Sequence, residues 1–191
     1  MEKNNMDYEL NIRDPLTHLY TRRICDFTLT DKLARAIHKQ TALALLYIDV
    51  DNFSLFNCHN GHADGDEALC KIAGYISGLA HNSRIPAFRY ESDEFILIME
   101  AEPLDVIETF AASLVSELES LDIFFNVNLE HPNPVPNPHG YLTVSLGVAF
   151  TASPGTEINN EKLLATAMES MYLAKNAGKN RYAVIQLDTK G

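Results

Sequence analysis

Arg89-Tyr90-Glu91-Ser92-Asp93-Glu94-Phe95 lies between two apolar runs, Ile85 to Phe88 and Phe95 to Met99, and reads as the tip of a β-hairpin. A hairpin built only to close a core favours Asn-Gly or Asp-Gly at its tip. Here Glu91, Asp93 and Glu94 concentrate negative charge instead. Upstream, Asp49-Val50-Asp51 ends the most hydrophobic run of the chain, Ala42 to Ile48. Two carboxylate clusters at the ends of two buried strands supply the oxygen donors that magnesium prefers. That ion takes one or two carboxylates and completes its shell with water and substrate phosphates.

Size and charge bound what surrounds this corner. At 191 residues with 46% hydrophobic content, the chain can bury one full core. Residues 13–187 are expected to form one domain, with 1–12 a polar lead-in and 188–191 a tail. The formal net charge of −11 argues against broad affinity for nucleic acid, which needs clustered Lys and Arg to neutralise phosphates. No stretch approaches the roughly 20 apolar residues that cross a bilayer, and Met1-Glu2-Lys3-Asn4-Asn5 lacks the apolar core of a signal peptide. Cys25, Cys58 and Cys70 are odd in number and form no CxxC pair, so they read as reduced thiols of a cytoplasmic protein. The cations that could meet a small anionic ligand gather late in the chain, at Lys175, Lys179 and Arg181.

Periodicity places these groups. Arg13-Asp14-Pro15-Leu16-Thr17 reads as a turn into a helix, continued over Arg22 to Lys39 by Ile24, Phe27, Leu33 and Ile37. Ala42 to Ile48 reads as a strand covered on both faces. A loop is expected over Asn52 to His62 and a helix over Ala63 to Ala80. The hairpin spans Ile85 to Met99, followed by a helix over Leu104 to Leu121, a strand over Tyr141 to Phe150, a helix over Glu161 to Asn176 and a strand over Tyr182 to Leu187. Alternating elements with one hairpin predict an α/β (α+β) fold with a central mixed sheet flanked by helices. His131-Pro132-Asn133-Pro134-Val135-Pro136-Asn137-Pro138-His139 cannot be helix or central strand and is expected as an inserted, exposed loop over 131–139.

Six motifs in order resemble the GGDEF family, the diguanylate cyclases of cyclic-di-GMP signalling. Asp14-Pro15-Leu16-Thr17-His18-Leu19-Tyr20-Thr21-Arg22-Arg23 is similar to the family's opening DxLTGLxNRR, and Asp49-Val50-Asp51-Asn52-Phe53 to its DIDxF segment. Asn57 with Gly61-His62-Ala63-Asp64-Gly65-Asp66 follows N-x-x-x-GHxxGD. The altered hairpin tip stands at the signature itself. Thr143-Val144-Ser145-Leu146-Gly147-Val148-Ala149 resembles the late TxSxGxA strand, and Ala174-Lys175-Asn176-Ala177-Gly178-Lys179-Asn180-Arg181 the closing AKxxGRNR. The resemblance implies a ferredoxin-like palm, as in nucleotidyl cyclases and polymerases.

It also implies roles. Asp49, the Val50 carbonyl and Asp93 would hold Mg²⁺ or Mn²⁺, with Asp93 and Glu94 serving catalysis. Two metals could then activate a ribose 3′-hydroxyl and steady the leaving pyrophosphate. Asp51 and Glu94 are weaker metal candidates that would orient water or the neighbouring Asp. Asn57 and Asp66 match the family's guanine readers; a carboxylate can accept from both guanine N1–H and the 2-amino group. Phe53, Lys175, Lys179, Glu91 and Ser92 complete the substrate-binding set. Each also has a plainer reading: Asp49 as a strand-end loop cap, Asp66 as a helix cap, and Lys175 and Lys179 as basic residues closing a helix at Gly178.

Three departures weigh on turnover. Glu91 and Ser92 replace the two signature glycines. Left-handed backbone there would cost about 1–2 kcal/mol per residue, and a carboxylate ~6 Å from a phosphate repels it by roughly 3 kcal/mol at an effective dielectric near 20. Ser54 stands where the family usually has a phosphate-facing Lys, and Lys179 where it usually has Arg, which loses bidentate geometry. Asn82-Ser83-Arg84-Ile85 occupies the positions of the family's inhibitory RxxD, so that site is absent. About a dozen residues precede the opening motif, too few for an attached sensor domain unless the chain is an excised piece. Three readings stay open: a domain that binds GTP with little turnover, an active cyclase working as a homodimer, and a non-catalytic interaction module. Restoring glycine at 91 and 92 should raise cyclic-di-GMP formation sharply, and lysine at 54 should add to the gain.

Overall fold

Every residue of β2, Leu43–Val50, is buried, as its unbroken apolar run requires. The computed structural model describes residues 12–126 and 140–187. Within them β4, Glu94–Glu100, pairs antiparallel with one edge of β2 and sets Glu94 opposite Asp49. Along the other edge β5, Val144–Thr151, also runs antiparallel and sets Ser145 opposite Asp49. β3, Ala87–Arg89, completes the expected hairpin with β4. The four strands lie in the order β3-β4-β2-β5, the ferredoxin-like arrangement of a palm. β1, Tyr20–Thr21, and β6, Arg181–Gln186, add in parallel at the two edges, giving a six-stranded mixed sheet.

Helices cover both faces, which is why β2 does not alternate. Leu43, Leu45 and Tyr47 point into one apolar cluster with Leu29 and Leu33 of α1, Arg22–Lys39, and with Leu163, Ala167 and Met171 of α5, Asn160–Asn176. Ala44, Leu46 and Ile48 point into the other, against α3, His62–Ser83, and α4, Leu104–Glu119. One expectation fails. Asn52 to His62 is not a loop: Phe53–Asn60 forms α2, entered through Asn52 in a left-handed conformation at φ 59°. Two turns are too few for helical periodicity to be legible, and so short a helix depends on packing. Phe56 supplies it, buried edge-to-face on Phe125 at 5.3 Å. The 131–139 insertion, the tail from 188 and all but the last residue of the lead-in lie outside the described residues.

Gly147 fixes how α5 approaches the sheet. A Cβ there would stand 2.1 Å from both the Ala167 carbonyl oxygen and the Met171 nitrogen, so helix backbone occupies the space a side chain would need. One turn beyond Met171, that close approach carries Lys175 to Asp49. Gly147→Ala should therefore push α5 outward, cost on the order of 1–3 kcal/mol as overpacking does, and move Lys175. Thermal unfolding reads the cost; an unchanged melting temperature would mean that the helix yields freely.

Candidate functional site

The two acidic segments meet, as their strand ends required. The Val50 N–H donates to the Asp93 carbonyl at 3.2 Å, and Asp49 faces Glu94 across the β2–β4 ladder. Lys175 pairs with the Asp49 carboxylate. Burial pushes the Asp49 carboxyl up to about 6; Lys175 opposes that rise, while Asp93 and Glu94 add to it. Glu94 is also raised, first by burial, although a hydrogen bond from the Tyr47 hydroxyl at 2.6 Å and the charge of Lys175 pull the other way. A corner in which carboxylates hold one another's acidity down is short of positive charge.

The donor set fits a divalent hard cation: the carboxylates of Asp49 and Asp93 and the Val50 carbonyl are all oxygen, and the repulsion among Asp49, Asp93 and Glu94 is what a cation would relieve. Among the described residues no three His, Cys, Asp or Glu side chains close into a ready-made cage. Magnesium suits such an incomplete site, since substrate phosphates supply the remaining ligands. Asp51 lies apart from this chemistry. It is 1% exposed and accepts from the Thr143 hydroxyl at 2.8 Å, the Ser145 hydroxyl at 2.7 Å and the Asn180 N–H at 3.1 Å. It ties the end of β2 to β5 and to the turn before β6.

The altered tip differs from expectation in two ways. Neither Glu91 nor Ser92 has a positive φ, so the left-handed strain anticipated there is absent. The N–H groups of Tyr90 and Glu91 both reach the Glu94 carbonyl, at 2.8 and 3.4 Å. Arg89 holds the Ser92 carbonyl through Nε and Nη2 at 3.1 and 2.6 Å and gives Nη1 to Asp14 at 2.8 Å. Asp14 is itself fixed by the Thr17 N–H and hydroxyl at 2.8 and 2.7 Å. Thus the opening turn anchors the hairpin tip. Glu91 pairs with Arg22, whose guanidinium lies 4.5 Å above the Tyr90 ring, and Ser92 donates to Asp93 at 2.6 Å.

Asn57, in α2, packs against α3. A Cβ on Gly65 would fall 1.9 Å from Asn57 Oδ1 and 3.3 Å from the Phe53 ring, so glycine is what lets the amide lie there. Oδ1 is buried without a partner, a costly state for an acceptor. Asp66 is exposed on α3. It does not cap that helix, which begins after Gly61 without a side-chain cap. Ser54 is exposed in the first turn of α2. Gly178, Lys179 and Asn180 all take positive φ after the α5 cap at Ala177; this turn brings Lys179 Nζ to Asn52 Oδ1 at 2.9 Å. Lys175 therefore stands at the acidic corner, and Lys179 meets the residue that follows Asp51. Sequence reading passed over Tyr47 and Arg22. Tyr47 sat unremarked in an apolar run, and nothing local to Arg22 pointed to Glu91.

A ferredoxin-like sheet with carboxylates at the adjoining ends of β2 and β4, and Lys175 brought to them by α5, is a palm of the nucleotidyl cyclase class. The family model "Diguanylate cyclase, GGDEF domain" matches residues 11–181, and the chain belongs to this family of cyclic-di-GMP signalling. It is 34% identical over 170 residues to the diguanylate cyclase DosC of Shigella sonnei, covering 88% of this chain and 34% of that protein. With the response regulator PleD of Caulobacter vibrioides it shares 31% identity over 184 residues, covering 93% of this chain and 37% of PleD. The coiled coil and GGDEF domain of DgcB from Caulobacter crescentus, solved in complex with c-di-GMP, superposes with a TM-score of 0.82 at 26% identity, over 96% of this chain and 91% of that one. The chain thus spans about a third of the length of these two curated relatives. No helix among the described residues is long and apolar enough to cross a membrane.

Proposed function

We propose that this domain binds GTP with Mg²⁺ or Mn²⁺ at the Asp49–Asp93 corner and that its diguanylate cyclase turnover, two GTP to one cyclic-di-GMP across a homodimer, is held down by its altered phosphate side. The observation that carries the reading is the meeting of Asp49, Asp93 and Glu94, short of cations, beside Lys175. Asp49, Asp93 and the Val50 carbonyl would hold the cation, which when bound would neutralise phosphate charge and lower the pKa of the attacking hydroxyl. Lys175 and Lys179 meet phosphate oxygens. Asn57 presents its unpaired acceptor to a guanine amino group, beside Phe53, and Asp66 accepts from the base edge. Ser54 leaves the phosphates one cation short.

A second reading, an efficient cyclase, is favoured by the tip itself. Glu91 is turned to Arg22, and no left-handed strain burdens residues 91 and 92. Calorimetry with GTP and ATP, each with and without Mg²⁺, tests the binding claim. GTP should bind about tenfold to a hundredfold tighter than ATP, because an unmatched buried hydrogen-bonding group costs on the order of 1–3 kcal/mol, and more tightly with metal than without it. Equal affinities would remove Asn57 and Asp66 from base recognition. Chromatography of products from an enforced dimer separates slow turnover from efficient turnover, and absence of any nucleotide binding would leave an interaction module.

A further inference from the structure

Within β2 the one residue carrying a polar side chain ahead of Asp49 is Tyr47, flanked by Leu45, Leu46 and Ile48. Its ring is 1% exposed and packs edge-on to Tyr90 at 5.8 Å. A phenylalanine would fill the same space. A tyrosine there must find a partner for its hydroxyl, because buried O–H groups are hydrogen-bonded. That partner is Glu94 Oε2, at 2.6 Å. Tyr47 and Asp49 point to the same face of β2, two residues apart, and Glu94 stands opposite Asp49. The hydroxyl therefore comes from the core and grips one oxygen of the carboxylate that borders the acidic corner.

We infer that Tyr47 is a positioning residue of the nucleotide site: its buried hydroxyl fixes the Glu94 side chain so that the other carboxylate oxygen is presented to the cation at Asp49 and Asp93. The inference rests on the proposed binding of GTP with a divalent cation. It makes no use of Tyr47 as an acid or base. The hydroxyl acts through its bond to Glu94 alone. A plainer role for the same contact, in which Glu94 merely satisfies a core hydroxyl, differs in what happens at the cation.

The test compares the parent with Tyr47→Phe, Glu94→Gln and the double variant. Mn²⁺ is titrated into each, by calorimetry or by the paramagnetic signal of free Mn²⁺, at a saturating concentration of a GTP analogue bridged by methylene between its β and γ phosphorus atoms. Tyr47→Phe keeps the ring and should stay folded, which the melting temperature verifies. It should bind Mn²⁺ about tenfold more weakly, the order of one hydrogen bond to a charged group, while metal-free affinity for the analogue is unchanged. Glu94→Gln should also weaken Mn²⁺, and the double variant should be no weaker than Glu94→Gln alone. Parental Mn²⁺ affinity in Tyr47→Phe, or losses that multiply in the double variant, would overturn the positioning role. If the parent itself shows no Mn²⁺-dependent binding of the analogue, the GTP reading has failed first, and the inference falls with it.

Discussion

Asp49→Asn should melt higher than the parent at pH 7.5 and yet lose metal-dependent nucleotide binding. The gain follows from the raised pKa of Asp49. Burial, with Asp93 and Glu94 adding and Lys175 opposing, sets the folded value at about 6 against 3.8 for the ordinary group. The folded protein thus holds this proton more tightly than the unfolded chain. That stability is fully present below the unfolded value and lost as pH rises through the folded one. Above pH 6 the ionised Asp49 costs roughly 3 kcal/mol at most. Asparagine removes the charge but leaves Lys175 unpaired; its side chain is one-quarter exposed, so water offsets part of that loss. A net gain of about 1–2 kcal/mol corresponds to about 2–8 °C for a chain of this size.

With Mg²⁺ and GTP the order should invert. The parent gains on the order of 2.7 kcal/mol at a ligand concentration a hundred times its Kd. The variant lacks the carboxylate and should bind about a hundredfold more weakly. Differential scanning with and without ligand, at pH 4 and 7.5, measures both halves, and the ligand-free difference should vanish at pH 4. If Asp49→Asn is no more stable at pH 7.5, or still gains from Mg²⁺ and GTP, the carboxylate is not the cation's anchor.

The same residues explain what could be read without coordinates. β2, β4 and β5 announced themselves because apolar runs ended at acidic or polar residues, and the meeting of Asp49 with the hairpin tip follows once neighbouring strands are paired. What was hidden depends on contacts distant along the chain. Tyr47 to Glu94 spans 47 positions and Arg22 to Glu91 spans 69, and no local pattern encodes either. α2 was missed because its helix is made by Phe56 reaching Phe125, a residue in a separate segment. The tip misled for a different reason. Glycine in a family pattern suggests left-handed backbone, but here Arg89 and the Glu94 carbonyl hold the turn with negative φ at Glu91 and Ser92. Near the site, positive φ occurs instead at Asn52, Lys179 and Asn180, in the two loops that bring Lys179 Nζ to Asn52.

That difference changes what restoring the family's residues should do. Glu91→Gly with Ser92→Gly alone should alter GTP affinity less than threefold. There is no left-handed strain to release, the Glu91 charge is already met by Arg22, and both partners of that pair are half exposed, so the pair itself contributes only about 0–1 kcal/mol. The change also removes the Ser92 hydroxyl bond to Asp93. Adding Ser54→Lys should do much more. Residue 54 is exposed in the first turn of α2, and Asn52, which precedes that helix, holds Lys179. A cation there strengthens the field on the same phosphates. Unscreened, one charge at ~6 Å contributes roughly 3 kcal/mol at an effective dielectric near 20; halved for solvent at an exposed position, it corresponds to about tenfold to thirtyfold in affinity. Cyclic-di-GMP formation in an enforced dimer should rise in proportion. A large gain from the two glycines alone would show that Arg22 does not keep Glu91 from the phosphates. A triple variant with parental affinity would show that the triphosphate does not lie along α2, and the proposed phosphate-side limit on turnover would be lost.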